Sequence, residues 1–214
     1  MQLQLENIIP EPLKDRVGQQ PSDVWQARQE LNSGELVFFR APSGKGKSTF
    51  IHILYGLRKD YAGAAKWDNK LAAAFDDNDW ARMRSQKLSI VFQDLRLFGE
   101  LTVEENLALK QSLTNDVPLD TARQWLEALG LKDKWHQRAD TLSYGERQRV
   151  AIVRSLLQPF DWLLLDEPFS HLDDDNSKKA ATLIMQRVGA LKAGLVVVDL
   201  ENNDWFPYTR KLLL

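Results

Sequence analysis

Two short stretches of this 214-residue chain hold residues suited to phosphate chemistry. The first is Ala41-Pro42-Ser43-Gly44-Lys45-Gly46-Lys47-Ser48-Thr49, set between the apolar run Leu36-Val-Phe-Phe and Phe50-Ile-His-Ile-Leu. A strand, a glycine loop and a helix in that order wrap backbone N–H groups around phosphate oxygens at a helix N-terminus, where the helix dipole favours negative charge. Lys47 would reach the terminal phosphates and Ser48 would hold Mg2+, while Gly44 and Gly46 leave room for close backbone approach. Ala41 takes a place expected to be glycine, which calls for a conformation open to an L-residue. A glycine-rich turn that matches by chance is the competing reading, and the second stretch argues against it.

That stretch is Leu163-Leu-Leu-Asp166-Glu167-Pro168, an apolar strand ending in adjacent carboxylates. Acids at the end of a buried strand are costly unless something cationic or polar meets them. Mg2+ is the natural partner: Asp166 would bind it through water, and Glu167, pointing the other way, would polarise an attacking water. A solvated turn is the plainer alternative.

Positioning these groups requires an open α/β sheet with ligands at the carboxyl ends of its strands. Leu36-Val-Phe-Phe, Leu163-Leu-Leu and Leu195-Val-Val-Val read as parallel strands buried on both faces, and Lys47 to Gly56 reads as a helix. Between them lies a helical middle, about Asp94 to Leu157. Thr102-Val-Glu-Glu105 and Ser143-Tyr-Gly-Glu146 fit capping boxes, so a helix should start at each. A further helix, about Asp120 to Leu129, is closed by Gly130, and Lys66-Trp-Asp-Asn-Lys70 resembles a hairpin turn.

Composition narrows the partners. With 28 basic and 30 acidic side chains, no global field draws the chain to nucleic acid or an anionic bilayer. There is no cysteine, which removes disulfides and thiolate catalysis, and the three histidines share no ligand-like spacing. No apolar run approaches the roughly 18 residues that span a bilayer. The chain is therefore expected to be soluble and cytoplasmic, and to work at a membrane only by docking on another protein.

Together these motifs resemble the nucleotide-binding subunit of the ATP-binding cassette (ABC) transporters, over essentially the whole chain. After the Walker A loop, Val91-Phe-Gln93-Asp resembles the Q-loop, Leu142-Ser-Tyr-Gly-Glu146-Arg-Gln-Arg the signature, Leu163 to Glu167 the Walker B strand and Ser170-His-Leu-Asp173 the D-loop. The wording of Asp94 to Leu107 is most similar to the lipoprotein-release, macrolide-export and cell-division branch. The resemblance implies a P-loop NTPase with a RecA-like parallel sheet core, a small antiparallel β subdomain and an inserted helical lobe. All 214 residues would form one ABC ATPase domain, its core lobe about 1–93 and 158–214 and its helical lobe about 94–157.

By the same resemblance, ATP and Mg2+ are the cofactors, and Glu167, Gln93 and Lys47 are catalytic. Ala41 to Thr49 bind nucleotide, and Ser48, Gln93 and Asp166 serve the metal. Ser143 and Gly145 would contact the γ-phosphate held by a second ABC subunit, in a homodimer or heterodimer. These two begin a capped helix, whose first N–H groups suit an anion. Transmembrane permease subunits are the remaining partners, no direct nucleic-acid contact is implied, and the chain would sit peripherally on the inner face of the cell membrane.

The chain departs from the family pattern in several places. Tyr144 and Glu146 replace residues of the common Leu-Ser-Gly-Gly-Gln, Glu146 reading as the capping-box acid. No aromatic for stacking on adenine occurs in Asn7 to Asp15, and Trp25 reads as core. The place of the switch histidine is held by Leu200, which can neither donate nor accept a hydrogen bond. Bringing Asp199 or Asn202 there would need a register shift that the strand's alternation resists. Loss of one such hydrogen bond slows transfer about 10²–10³-fold. Two readings follow: an ATP-hydrolysing transporter subunit, or a nucleotide-gated binding module with weak or no hydrolysis. A third class, soluble ABC proteins on ribosomes or DNA, calls for tandem cassettes, long coiled coils or a basic arm, none of which is present.

Overall fold

The computed structural model describes residues 1–19, 21–42 and 44–214. The elements run β1 (Gln2–Pro10), β2 (Arg28–Asn32), β3 (Leu36–Arg40), α1 (Lys47–Leu54), β4 (Tyr61–Trp67), β5 (Lys70–Leu71), α2 (Asp77–Arg82) and β6 (Leu88–Val91). There follow α3 (Val103–Gln111), α4 (Leu119–Ala128), α5 (Tyr144–Ser155), β7 (Trp162–Asp166), α6 (Asp174–Leu191), β8 (Gly194–Asp199) and β9 (Arg210–Leu213).

Two sheets form. The parallel one has the order β6-β7-β8-β3-β9, and the antiparallel one β2-β1-β4-β5. The apolar strand runs anticipated a parallel sheet covered on both faces, and the alternation of side chains shows why they lack polar residues. Phe38, Leu163, Leu165 and Val197 face a core shared with α3, α4, α5 and α6. Their neighbours Val37, Phe39, Leu164, Val196 and Val198 face a second core, shared with α1 and with Leu3, Leu5, Leu31 and Trp67 of the antiparallel sheet. Burying both faces leaves solvent only at the strand ends, so polar groups there define the site.

Local signals produced the expected elements. Both capping boxes close, on Thr102 with Glu105 and on Ser143 with Glu146. Gly130 donates to the Glu127 carbonyl just past α4, and Leu131 donates to Leu126. The β4–β5 hairpin turns through Asp68 and Asn69, both with positive φ, a two-residue turn whose twist suits paired strands. Between β6 and β7 the chain leaves the parallel sheet for α3, α4 and α5. Val150 and Ile152 of α5 lie in the same core as Phe38 and Val197 of the sheet.

Candidate nucleotide site

The register of three strands assembles the site. Asp166 pairs with Val198 across β7 and β8, and Arg40 pairs with Asp199 across β8 and β3. The residues that follow these positions therefore emerge at one edge. Ala41 donates its N–H to the Asp199 carbonyl at 2.9 Å, and Glu167 donates to Val198 at 2.9 Å. Ala41 is fully buried and lies outside the left-handed region, so alanine fits there without strain.

The loop then turns over the start of α1. Gly44 and Gly46 have φ of +77° and +95°, conformations open to glycine and strained for other residues. Lys45 donates to the Pro42 carbonyl at 3.2 Å, and Phe50 makes the first helical bond, to Gly46. Thr49 lies half-buried on α1, and Ser43 lies outside the described residues. Gly46 also admits a close neighbour: a Cβ there would meet Leu13 at 2.5 Å.

Lys47, the first residue of α1, has its Nζ 3.3 Å from Glu167 Oε1, with only 9% and 7% of the two side chains exposed. Such a pair holds together because each charge would be costly alone. Glu167 has φ of +49°, a left-handed backbone that strains a non-glycine residue. It is held there by its own N–H bond to β8 and by Gln148, whose Nε2 donates to the Glu167 carbonyl at 3.1 Å.

Asp166 Oδ1 is buried without a hydrogen-bond partner. Burial pushes the Asp166 carboxyl up to about 6, opposed by the Ser48 hydroxyl and Lys47 and reinforced by the Glu167 charge. Ser48 Oγ donates to Gln93 Oε1 at 3.4 Å. An orphaned carboxylate oxygen, a hydroxyl and an amide oxygen together make a hard-oxygen donor set of the kind Mg2+ takes. The residues present fit that ion.

Three neighbours bear on the site through contacts that the sequence did not show. Asp199 enters the electrostatics of the site with no shift of register: burial raises its carboxyl and the Glu167 charge adds to the rise, while the Leu200 N–H and Lys47 act against it. Its Oδ1 accepts the Leu200 N–H at 2.7 Å. Gln148, inside the signature run, also accepts the His171 N–H at 3.2 Å and so fastens α5 to the loop after Glu167. Tyr144 donates its hydroxyl to the Gln93 carbonyl at 2.6 Å. A buried glutamine one turn into a capped helix was the available signal for Gln148; the other two depend on sheet order and loop placement.

Ser143 and Gly145 stand apart from the phosphate loop, with no hydrogen bond to it among the described residues. The capping box already engages the Ser143 and Glu146 N–H groups. Those of Tyr144 and Gly145 have no partner among the described residues. Gly145 packs so closely on the D-loop that a Cβ would lie 2.7 Å from the His171 carbonyl oxygen.

Trp25 is core: its ring meets Phe50 edge-on at 5.8 Å and its indole N–H points to the Lys45 carbonyl at 3.4 Å. Beside it opens a cavity of about 350 Å³, lined by Leu13, Val17, Arg16, Arg40 and Lys45. This space adjoins the phosphate loop.

A family model described as ABC transporter matches residues 26–170. The chain is 32% identical over 188 residues to the lipoprotein-releasing system ATP-binding protein LolD of Psychrobacter arcticus, covering 86% of this chain and 83% of that protein. It is 32% identical over 204 residues to the cell division ATP-binding protein FtsE of Bacillus subtilis, covering 83% and 89%. Among solved structures, the dimeric bacterial ABC transporter cassette MJ0796 aligns with a TM-score of 0.79 and 26% identity, over 93% of this chain and 88% of that one. A dimer of the same cassette in a post-hydrolysis state, bound to ADP and Pi, aligns with a TM-score of 0.76 and 27% identity over the same shares. The matched motifs are those that build the phosphate loop and the acidic strand end, and the chain belongs to the ABC transporter family as one of its ATP-binding cassettes.

Proposed function

We propose that this cassette binds MgATP, pairs with a second ABC subunit in response, hydrolyses ATP and drives a separate membrane permease. The observation that carries the reading is the convergence of Lys47, Ser48, Gln93, Asp166 and Glu167 at one sheet edge, with one Asp166 oxygen left unpartnered. Ala41 to Thr49 would cradle the triphosphate, and Lys47 would exchange Glu167 for the terminal phosphate oxygens. Ser48, Gln93 and Asp166 would hold Mg2+, which when bound neutralises charge on the phosphates. Glu167, released from Lys47, would accept a proton from the water that attacks the γ-phosphorus, with ADP leaving. The cavity at Leu13, Val17 and Arg16 would take the base end of the nucleotide.

Ser143 and Gly145 would present their helix terminus to nucleotide held by the second subunit. The dimeric state of the aligned cassette supports this arrangement. The core lobe is assigned to about 1–93 and 158–214 and the helical lobe to about 94–157. No helix among the described residues is long and apolar enough to cross a membrane, so the cassette would sit on the inner face by contact with the permease.

For that contact we assign a groove between β6, α3 and α5, lined by Tyr55, Phe92, Phe98, Leu109, Lys110 and Arg154. Phe98 is 59% exposed, yet Asn106 holds its turn by accepting from the Phe98 N–H at 2.9 Å and donating to the Phe98 and Thr102 carbonyls. An exposed apolar side chain on a backbone held in this way suits a partner.

A nucleotide-gated binding module remains the second reading, favoured by Leu200, whose side chain stands 40% exposed where the family resemblance implies a histidine. Steady-state ATPase assay of the wild type decides between them. Measurable turnover that Glu167→Gln abolishes supports hydrolysis; ATP-driven dimerisation without turnover supports the module.

A further inference from the structure

Tyr144 is the first residue of α5, at a place where the signature it resembles commonly has glycine. Its side chain reaches out of the helix to two other segments. The ring packs against that of His171, tilted by 42° with centroids 4.1 Å apart, and the Arg147 guanidinium sits 5.3 Å from the tyrosine ring centre. The hydroxyl donates to the Gln93 carbonyl at 2.6 Å. The ring contacts aim the hydroxyl at Gln93.

The turn that follows Gln93 is tied down, with Arg154 donating to the Leu95 and Arg96 carbonyls and Leu95 to Phe92, but Gln93 itself has few bonds of its own. Gln93 follows the end of β6 and precedes Leu95 and Arg96, both with positive φ, so it lies in a turn outside the sheet ladder. Among the described residues no backbone N–H bonds its carbonyl. Its side-chain Oε1 meets Ser48 Oγ at 3.4 Å, near the long limit of a hydrogen bond, and that contact alone would orient it weakly.

We propose that Tyr144 is a positioning residue for the metal end of the nucleotide site, its hydroxyl fixing the Gln93 backbone so that the amide oxygen stays turned toward Ser48. The proposal rests on the MgATP reading above. It gives the α5 N-terminus a direct mechanical link to Gln93 of the same subunit, a link that glycine at this position would lack.

The test is calorimetric titration of the full chain with ATP, in excess EDTA and in excess Mg2+, for wild type and Tyr144→Phe. Phenylalanine keeps the ring on His171 and removes only the hydroxyl. The expected result is unchanged metal-free ATP affinity, with the factor by which Mg2+ tightens binding reduced about two- to tenfold, the worth of one neutral hydrogen bond. An equal Mg2+ factor in both proteins overturns the proposal. So does a parallel loss in both conditions, which would mean that the hydroxyl supports the loop or the fold. If wild type binds ATP but gains nothing from Mg2+, the metal site and this proposal fail while the phosphate loop stands; if ATP binds in neither condition, the nucleotide reading itself fails.

Discussion

Lys47 and Glu167 neutralise each other in the interior, at 3.3 Å, across the join between the phosphate loop and the acidic strand end. The pair occupies the lysine that would grip phosphate and the carboxylate that would activate water. On the proposed reading nucleotide would part them, so that binding and activation would become one event.

Lys47→Ala would remove the proposed phosphate grip and strand the buried Glu167 carboxylate. MgATP binding is expected to disappear in calorimetry, and the ligand-free protein to lose about 3 kcal/mol in urea denaturation. Undiminished MgATP binding would remove the phosphate-loop assignment.

Glu167→Gln keeps the shape of the side chain but cannot accept a proton. ATP should still bind, turnover should fall at least about 10²-fold, and gel filtration with MgATP should show a persistent dimer. A monomer under those conditions would count against sites shared between subunits.

Asp166 sets a pH dependence. Its folded-state carboxyl titrates at about 6 against an ordinary value of 3.8, because burial disfavours its charge. If Asp166 serves Mg2+ as proposed, proton and metal would compete for it, so the tightening of ATP binding by Mg2+ should weaken as pH falls through 6 and be constant above about 7. For the ligand-free fold the sign is opposite: ionisation of a raised carboxyl opposes folding, so this group lowers stability as pH rises from about 4 to 6. Asp166→Asn should stabilise the ligand-free protein at pH 8, by on the order of 1–3 kcal/mol, while removing the Mg2+ effect. Calorimetric titrations at pH 5.5 and 7.5, with urea denaturation at pH 8, measure both.

Leu200→His should raise steady-state turnover about tenfold or more, since one added donor to the transferring phosphate is worth up to about 10²–10³. Asp199, whose Oδ1 already takes the Leu200 N–H, limits how far the new side chain can swing. No gain over a measurable wild-type rate would mean that Glu167 and its neighbours suffice.

Phe98→Ser should leave MgATP affinity unchanged and abolish co-isolation of the cassette with a membrane protein from detergent extracts. Retained co-isolation would move the docking surface away from this groove.

Much of this was legible because it is local. Ser143 and Glu146 close a capping box three residues apart, Asp68 and Asn69 make a hairpin turn with their own backbones, and Gly44 and Gly46 shape the loop that leads into α1. The strand runs were readable because strands buried on both faces admit no polar residue. The sequence alone thus determined the cassette, the order of its motifs and the shape of its glycine loop, since backbone geometry and apolar periodicity depend on near neighbours.

Tertiary structure decided which side chains meet. That Lys47 pairs with Glu167, that Asp199 bears on both, and that Tyr144 holds Gln93 follow from the order β7-β8-β3 and from α5 packing under the sheet. Those partners lie from 32 to 152 residues apart along the chain, and contacts at such separation are set by register and packing, which no local pattern encodes.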